Sequence, residues 1–400
     1  MTNTKATKEA THCSPARYCQ HRKTGSCLVA TEMAGVLQAH GMKLAGNETP
    51  IQLMARMRDV AKKRGIPGSA EHILADLAMA GMKDGGLRQQ IKEAYRPAAP
   101  SRWPAEAMGT SAWLSSEDIS TVMHQYEGAT PGFKFVGVAP IDFADRPSNF
   151  GGRCVSPEMC SLDVAGLVAK GVTSQLGVVL NMDKHDSRGS HWVAAYVGLD
   201  PTAPNYGVFY YDSVANPPRE RVAVWMRGIA SAMAAGTRAR GTRRAFTVEH
   251  NTVRRQFGHS ECGVFSMMFL IHCIQRQLPF KDICKTLGGD AMMRAMRKVL
   301  FRPTPVPPAP QAGSQDVIRP KALRPTSARR GIRVRAVICG CEGWPCTRTA
   351  CAVVACPDGA WPRLTTTVFT RLAPPSLSLS SSRRPSLTSS RSRSTSHTSG

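Results

Sequence analysis

The chain has 400 residues, with 52 Lys+Arg against 28 Asp+Glu and 13 cysteines. That length holds two or three domains with full cores, so no disulfide scaffold is required, and no run reaches the ~18 apolar residues of a membrane span. Residues 301–400 carry 15 Lys+Arg and 3 Asp+Glu, about half of the net +24, an excess that suits either a solvated tail or contact with a polyanion such as DNA.

The first twenty residues have no apolar core, so no signal peptide is expected, and the cysteines are expected as free thiols in a reducing compartment. Residues 1–104 read as a helical N-terminal arm. "IQLMARMRDVAKK" and "SAEHILADLAMAGM" place apolar residues at helical spacing, the second behind a Ser start. "YRPAAPSRWP" (95–104) is a Pro-rich break and a domain boundary.

Residues 105–302 read as an α+β domain, a mixed central sheet with flanking helices. "WLSSEDISTVMHQYE" is a helix capped by Ser115 or Ser116, with acidic residues in its first turn. "FKFVGVAPIDF", "SQLGVVLNMD", "HWVAAYVG" and "YGVFYYDS" are strands rich in Val, Tyr and Phe. "RERVAVWMRGIASAMAA" is an amphipathic helix. "CGVFSMMFLIHCIQRQL" is apolar nearly all round and should be buried. "CKTLGGDAMMRAMRKVLF" closes the domain. Residues 303–400 are Pro-, Arg- and Ser-rich, and such composition implies a disordered tail.

The strands starting at His191 and Tyr206 are joined by "LDPTAPN", a turn-rich connection. If they pair antiparallel, the start of the first lies beside the end of the second. His191 then meets Asp212, and a carboxylate beside an imidazole fixes its tautomer and stabilises the imidazolium. Cys262 opens the buried helix, where unpaired N–H groups and the helix dipole favour a thiolate. Gln256, six residues earlier, offers a neutral amide donor. With the Cys262 N–H it can hold the oxyanion of a tetrahedral intermediate.

The segments "GSHWVAAYVG", "YYDSV" and Gln256-x5-Cys262-Gly-Val-Phe resemble the cysteine proteases that process SUMO and other ubiquitin-like proteins, together with the adenovirus protease. Over roughly 110–300 the chain is most similar to the polyprotein-processing branch of large double-stranded DNA viruses, African swine fever virus among them. The resemblance implies the papain-like, circularly rearranged fold of that family. It implies a cysteine endopeptidase that cuts after Gly-Gly in viral structural polyproteins, without a cofactor or metal. It assigns Cys262 as nucleophile, His191 as base, Asp212 as its partner, Gln256 as oxyanion donor and Trp192 as a wall of a narrow cleft. Some viral members carry Asn at the third position, and Glu261 stands where cellular enzymes usually have Asp.

Two rival readings follow. One is a deconjugase acting on host ubiquitin-like conjugates. The other is a basic nucleic-acid-binding particle protein on a protease fold, since DNA activates the adenovirus enzyme. A monomer without membrane contact is expected, in the host cytoplasm and the virion, with the nucleus as a further compartment. His259 and His185 read as polar loop residues, and Cys273 and Cys284 as core thiols. Cys13, Cys19 and Cys27, with His12 and His21, do not match the tight spacing of structural zinc knuckles. Five cysteines between Cys339 and Cys356 read as incidental to the tail.

Overall fold

The computed structural model describes residues 12–67, 70–100, 103, 112–239, 244–275 and 278–303. The tail with its five cysteines therefore lies outside the described residues, as does the expected boundary near 104 apart from Trp103.

Among the described residues the N-terminal region holds five α-helices: α1 (Tyr18–Thr24), α2 (Ala30–Ala39), α3 (Pro50–Lys63), α4 (Glu71–Gly81) and α5 (Gly85–Ala94). Thr49 caps α3 and exchanges bonds with Gln52, and Pro50 sits in the first turn, where its missing N–H costs nothing. Leu28, Val36, Leu37, Leu53, Leu74 and Ile91 close a core of their own. Arg302, at the far end of the described chain, ties this region down. Its guanidinium takes both oxygens of Asp76, at 2.5 and 2.9 Å, and also donates to the Arg96 carbonyl.

The cysteines correct an expectation. Cys13 is bonded to Cys27 and Cys154 to Cys160, and Cys19 is in a disulfide as well. Only folding brings the first pair together, because Cys13 bridges to Tyr95 while Cys27 is held by Glu71. Cys262, Cys273 and Cys284 are free thiols.

The remaining chain runs α6 (Ser116–Ala129), β1 (Phe133–Pro140), α7 (Pro157–Cys160), α8 (Val164–Lys170), β2 (Gln175–Asn181), β3 (Trp192–Gly198), β4 (Gly207–Tyr211), α9 (Glu220–Ala239), β5 (Thr247–His250), α10 (Cys262–Gln275), α11 (Phe280–Thr286) and α12 (Asp290–Leu300). The five strands form one sheet in sequence order. β1–β2 and β4–β5 are parallel, while β2–β3 and β3–β4 are antiparallel. Ser115, rather than Ser116, caps α6 in a reciprocal box with Asp118. The segment that closes the domain forms two helices, α11 and α12, separated at Gly288 and Gly289.

Side-chain alternation sorts the sheet into two faces. Val179, Ala194, Tyr196, Phe209 and Tyr211 face α10 and its neighbours, whereas Val178, Leu180, Val193, Ala195 and Val208 face the α8–α9 side. Every α10 residue from Cys262 to Ile274 is buried, as its all-round apolar pattern requires. Phe269 of α10 stacks on Tyr211 of β4 with centroids 4.8 Å apart, a pairing that adds about 0.5–1.5 kcal/mol beyond burial. The helix that begins at Cys262 is thereby fixed to the strand that ends beside Asp212.

Candidate active site

The β3–β4 ladder ends at Ala194 opposite Tyr211. Three residues back from Ala194 is His191, and one on from Tyr211 is Asp212. The antiparallel geometry thus brings the two ends to one corner of the sheet. His191 Nε2 and Asp212 Oδ1 lie 2.7 Å apart, as the sequence pairing predicts. This bond occupies Nε2 and leaves Nδ1 free, with Cys262 close enough to the ring to help hold its pKa up.

Asp212 is held on every side. Its carboxylate also accepts the Val214 N–H at 2.9 Å, and its own N–H donates to Asn251 Oδ1 at 2.8 Å. Asn251 Nδ2 returns a bond to the Asp212 carbonyl at 2.7 Å. Asn251 follows β5 directly and extends the ladder by donating its N–H to Tyr210. The sequence reading missed this residue, because its role depends on β5, a short polar edge strand with no alternation to reveal it.

The charge state of His191 reflects three opposed effects. Burial pulls its pKa down, but the hydrogen bonds and negative charges of Asp212 and Cys262 outweigh it and raise the value from 6.5 to about 9. At neutral pH the ring is therefore an imidazolium beside the sulfur. Cys262 is the first residue of α10, and the Glu261 carbonyl accepts the Phe265 N–H. The N–H groups of the first helical turn lack intrahelical partners and turn positive dipole ends toward the sulfur. Cys273 and Cys284, the other free thiols among the described residues, are enclosed in the core. Burial pushes Cys284 up to about 12 and Cys273 well above the ordinary range, which leaves both protonated and inert.

Gln256 is buried and locked to the residue after Asp212. Ser213 donates its hydroxyl to Gln256 Oε1 at 2.5 Å, and the Gln256 N–H donates to the Ser213 carbonyl at 2.9 Å. Gln256 Nε2 donates to the Gly258 carbonyl at 3.0 Å. Only nitrogen can donate to that carbonyl, so the amide has a defined orientation, with a second Nε2 hydrogen left to give. Asp290, at the start of α12, fixes the loop by accepting the N–H groups of Phe257 and Gly258 at 2.9 and 3.0 Å.

Trp192 is anchored by its indole N–H to the Leu114 carbonyl at 3.1 Å. It walls a cleft of about 530 Å³, which Trp113 lines as well. Trp113 is a large exposed aromatic at the cleft, and the sequence reading gave it no role. Behind this wall α10 packs closely at Gly263, where an added Cβ would fall 3.0 Å from Leu114 and 3.3 Å from Trp192.

His259 is an exposed loop residue, as expected. His185 is not simply a solvated one. Its ring and its N–H both bond to buried Asp142, at 2.7 and 2.9 Å. The reason is tertiary, since Asp142 lies just after β1, beside the loop that follows β2.

Residues 178–301 match the Ulp1 protease family, C-terminal catalytic domain. This segment includes His191, Asp212, Gln256 and Cys262. The chain is 28% identical over 241 residues to "Putative thiol protease R355" of Acanthamoeba polyphaga mimivirus, covering 60% of this chain and 71% of that one. It is 28% identical over 139 residues to a SUMO-1 cysteine protease of African swine fever virus, covering 35% of this chain and 48% of that one, so it spans about half the length of that relative. The crystal structure of an African swine fever virus protease aligns with a TM-score of 0.43 at 18% identity, over 72% of this chain and 97% of that one. A sulfur, an imidazolium and a buried carboxylate thus lie together inside the segment that matches this catalytic domain, and the match and the thiol-protease relatives together indicate a cysteine peptidase.

Proposed function

We propose that the chain is an endopeptidase that cleaves after Gly-Gly in structural polyproteins of a large DNA virus. In this reading it acts in the host cytoplasm and in the maturing particle. The observation that carries the chemistry is the His191 ring, bonded to Asp212 through Nε2 and lying next to Cys262, whose proximity helps raise its pKa.

The Cys262 thiolate attacks the carbonyl carbon of the scissile bond. The developing oxyanion is met by the Cys262 N–H and the spare Gln256 Nε2 hydrogen. His191 gives its proton to the departing amine, and the acyl group remains as a thioester on Cys262. His191, now neutral, takes a proton from water, and the resulting attack releases the acid and restores the ion pair. Asp212 keeps the ring oriented through both half-reactions. Trp113 and Trp192, two large aromatics lining one narrow cleft, support glycine at the residues that pass between them.

The test is labelling with a Gly-Gly peptide carrying a carbon electrophile, followed by mapping of the modified residue. Cys262 should be labelled, and Cys262→Ala or His191→Ala should abolish both labelling and turnover. Turnover by Cys262→Ala would refute the assignment. Incubation with a Gly-Gly-X precursor peptide and with SUMO or ubiquitin adducts separates the two substrate classes. Efficient cleavage of adducts alone would make the protein a deconjugase.

A further inference from the structure

We infer that Lys184 and Arg188 make the cleft selective for an acidic residue on the acyl side of the scissile bond, an inference that rests on the peptidase reading above. The wall of the cleft opposite α7 is the loop 182–190, between β2 and β3. Lys184, His185 and Arg188 all line it, and Glu158 is the one acidic residue that does. Among the described residues neither Lys184 nor Arg188 has an ion-pair partner, and both are exposed.

Exposed cations on a loose loop would mean little, but this loop is built to hold its shape. His185 is fixed at two points by Asp142, which is itself buried. The Asp183 carboxylate is taken up by the Ser190 hydroxyl at 2.5 Å, and the Asp183 N–H donates to Asn181 at 2.9 Å. Arg219 holds the Met182 carbonyl at 3.0 Å. Gly189 turns at φ +80°, against Asn181, where a side chain would collide. The acidic neighbours do not cancel the charge inside the cleft, since Asp183 and Asp186 do not line it. A substrate whose glycines pass between Trp113 and Trp192 continues into this wider space. Its preceding side chains lie there against two exposed positive charges carried on a held loop.

The experiment uses the full chain and three fluorogenic peptides ending in Gly-Gly, with Glu, Gln or Lys at the three preceding positions. The expected kcat/KM order is Glu above Gln above Lys, with steps of roughly 3- to 10-fold for partly exposed pairs, shrinking as salt is raised. K184E/R188E should invert the order, with the same thermal midpoint and the same rate of Cys262 alkylation by iodoacetamide. Equal cleavage of the three peptides by the native chain overturns the inference, and so does an unchanged order in K184E/R188E. Failure to cleave any of them, together with an unreactive Cys262, overturns the peptidase reading as well.

Discussion

Arg297 donates to Glu261 at 2.9 Å, and both side chains are sealed from solvent immediately behind Cys262. A second nitrogen of Arg297 bonds to the Ser260 carbonyl at 3.0 Å, and the Ser260 hydroxyl closes onto Glu261. The two residues before the sulfur thus hang from α12. Glu261, a departure from the aspartate of cellular relatives, is an anchor with reach to a partner on another helix.

Arg297→Met should therefore be severe. Removing one partner of a buried ion pair strands the other charge, at about 3–5 kcal/mol. Urea unfolding should show that loss, and E261Q/R297M should recover part of it. A loss under about 1 kcal/mol would mean that the pair is not an anchor, since that is the range of exposed pairs.

The raised pKa of His191 sets an alkaline limb. The imidazolium is complete at pH 6.5 and is lost as pH rises through about 9, so kcat/KM should fall across that interval. The same sign holds for stability. The contribution of protonated His191 is full below the unfolded value of 6.5 and disappears as pH rises through the folded one. Asp212→Asn removes a negative charge from the ring, so its limb should move to lower pH. A limb unmoved in Asp212→Asn would exclude Asp212 as the source of the shift.

Gln256→Ala should lower kcat by about 10²- to 10³-fold with little change in KM, as loss of one oxyanion donor does. Asp290→Ala acts one step further away. It frees two N–H groups of the Gln256 loop, so a smaller loss, also in kcat, is expected. A change confined to KM in Gln256→Ala would assign the amide to substrate binding instead.

These residues were not equally legible in the sequence. His191 and Asp212 were, because a hairpin brings its two ends together whatever else the fold does. Cys262 was, because an all-round apolar helix has only one mouth. Arg297 carried a signal that passes for surface charge. It shares an apolar stripe with Met293, Met296 and Leu300, so its spacing marks it as buried. Asn251 and Asp142 carried none, since each acts on a partner 39 or 43 residues away across contacts that local pattern cannot supply. The Cys13–Cys27 bond was missed for the same reason.

The basic balance leads to a last expectation, which concerns polyanions. About half of the net +24 lies in residues 301–400, and a tail of that charge can neutralise several phosphates at once. Each phosphate contacted releases counterions and adds about 0.9 to the slope of log affinity against log salt on duplex DNA. The intact chain should bind DNA without sequence preference, with affinity falling steeply between low and physiological salt. Deletion of residues 304–400 should flatten that slope while leaving the alkylation rate of Cys262 as it was. An unchanged slope after deletion would transfer the contact to residues 1–303, which carry the other half of the charge.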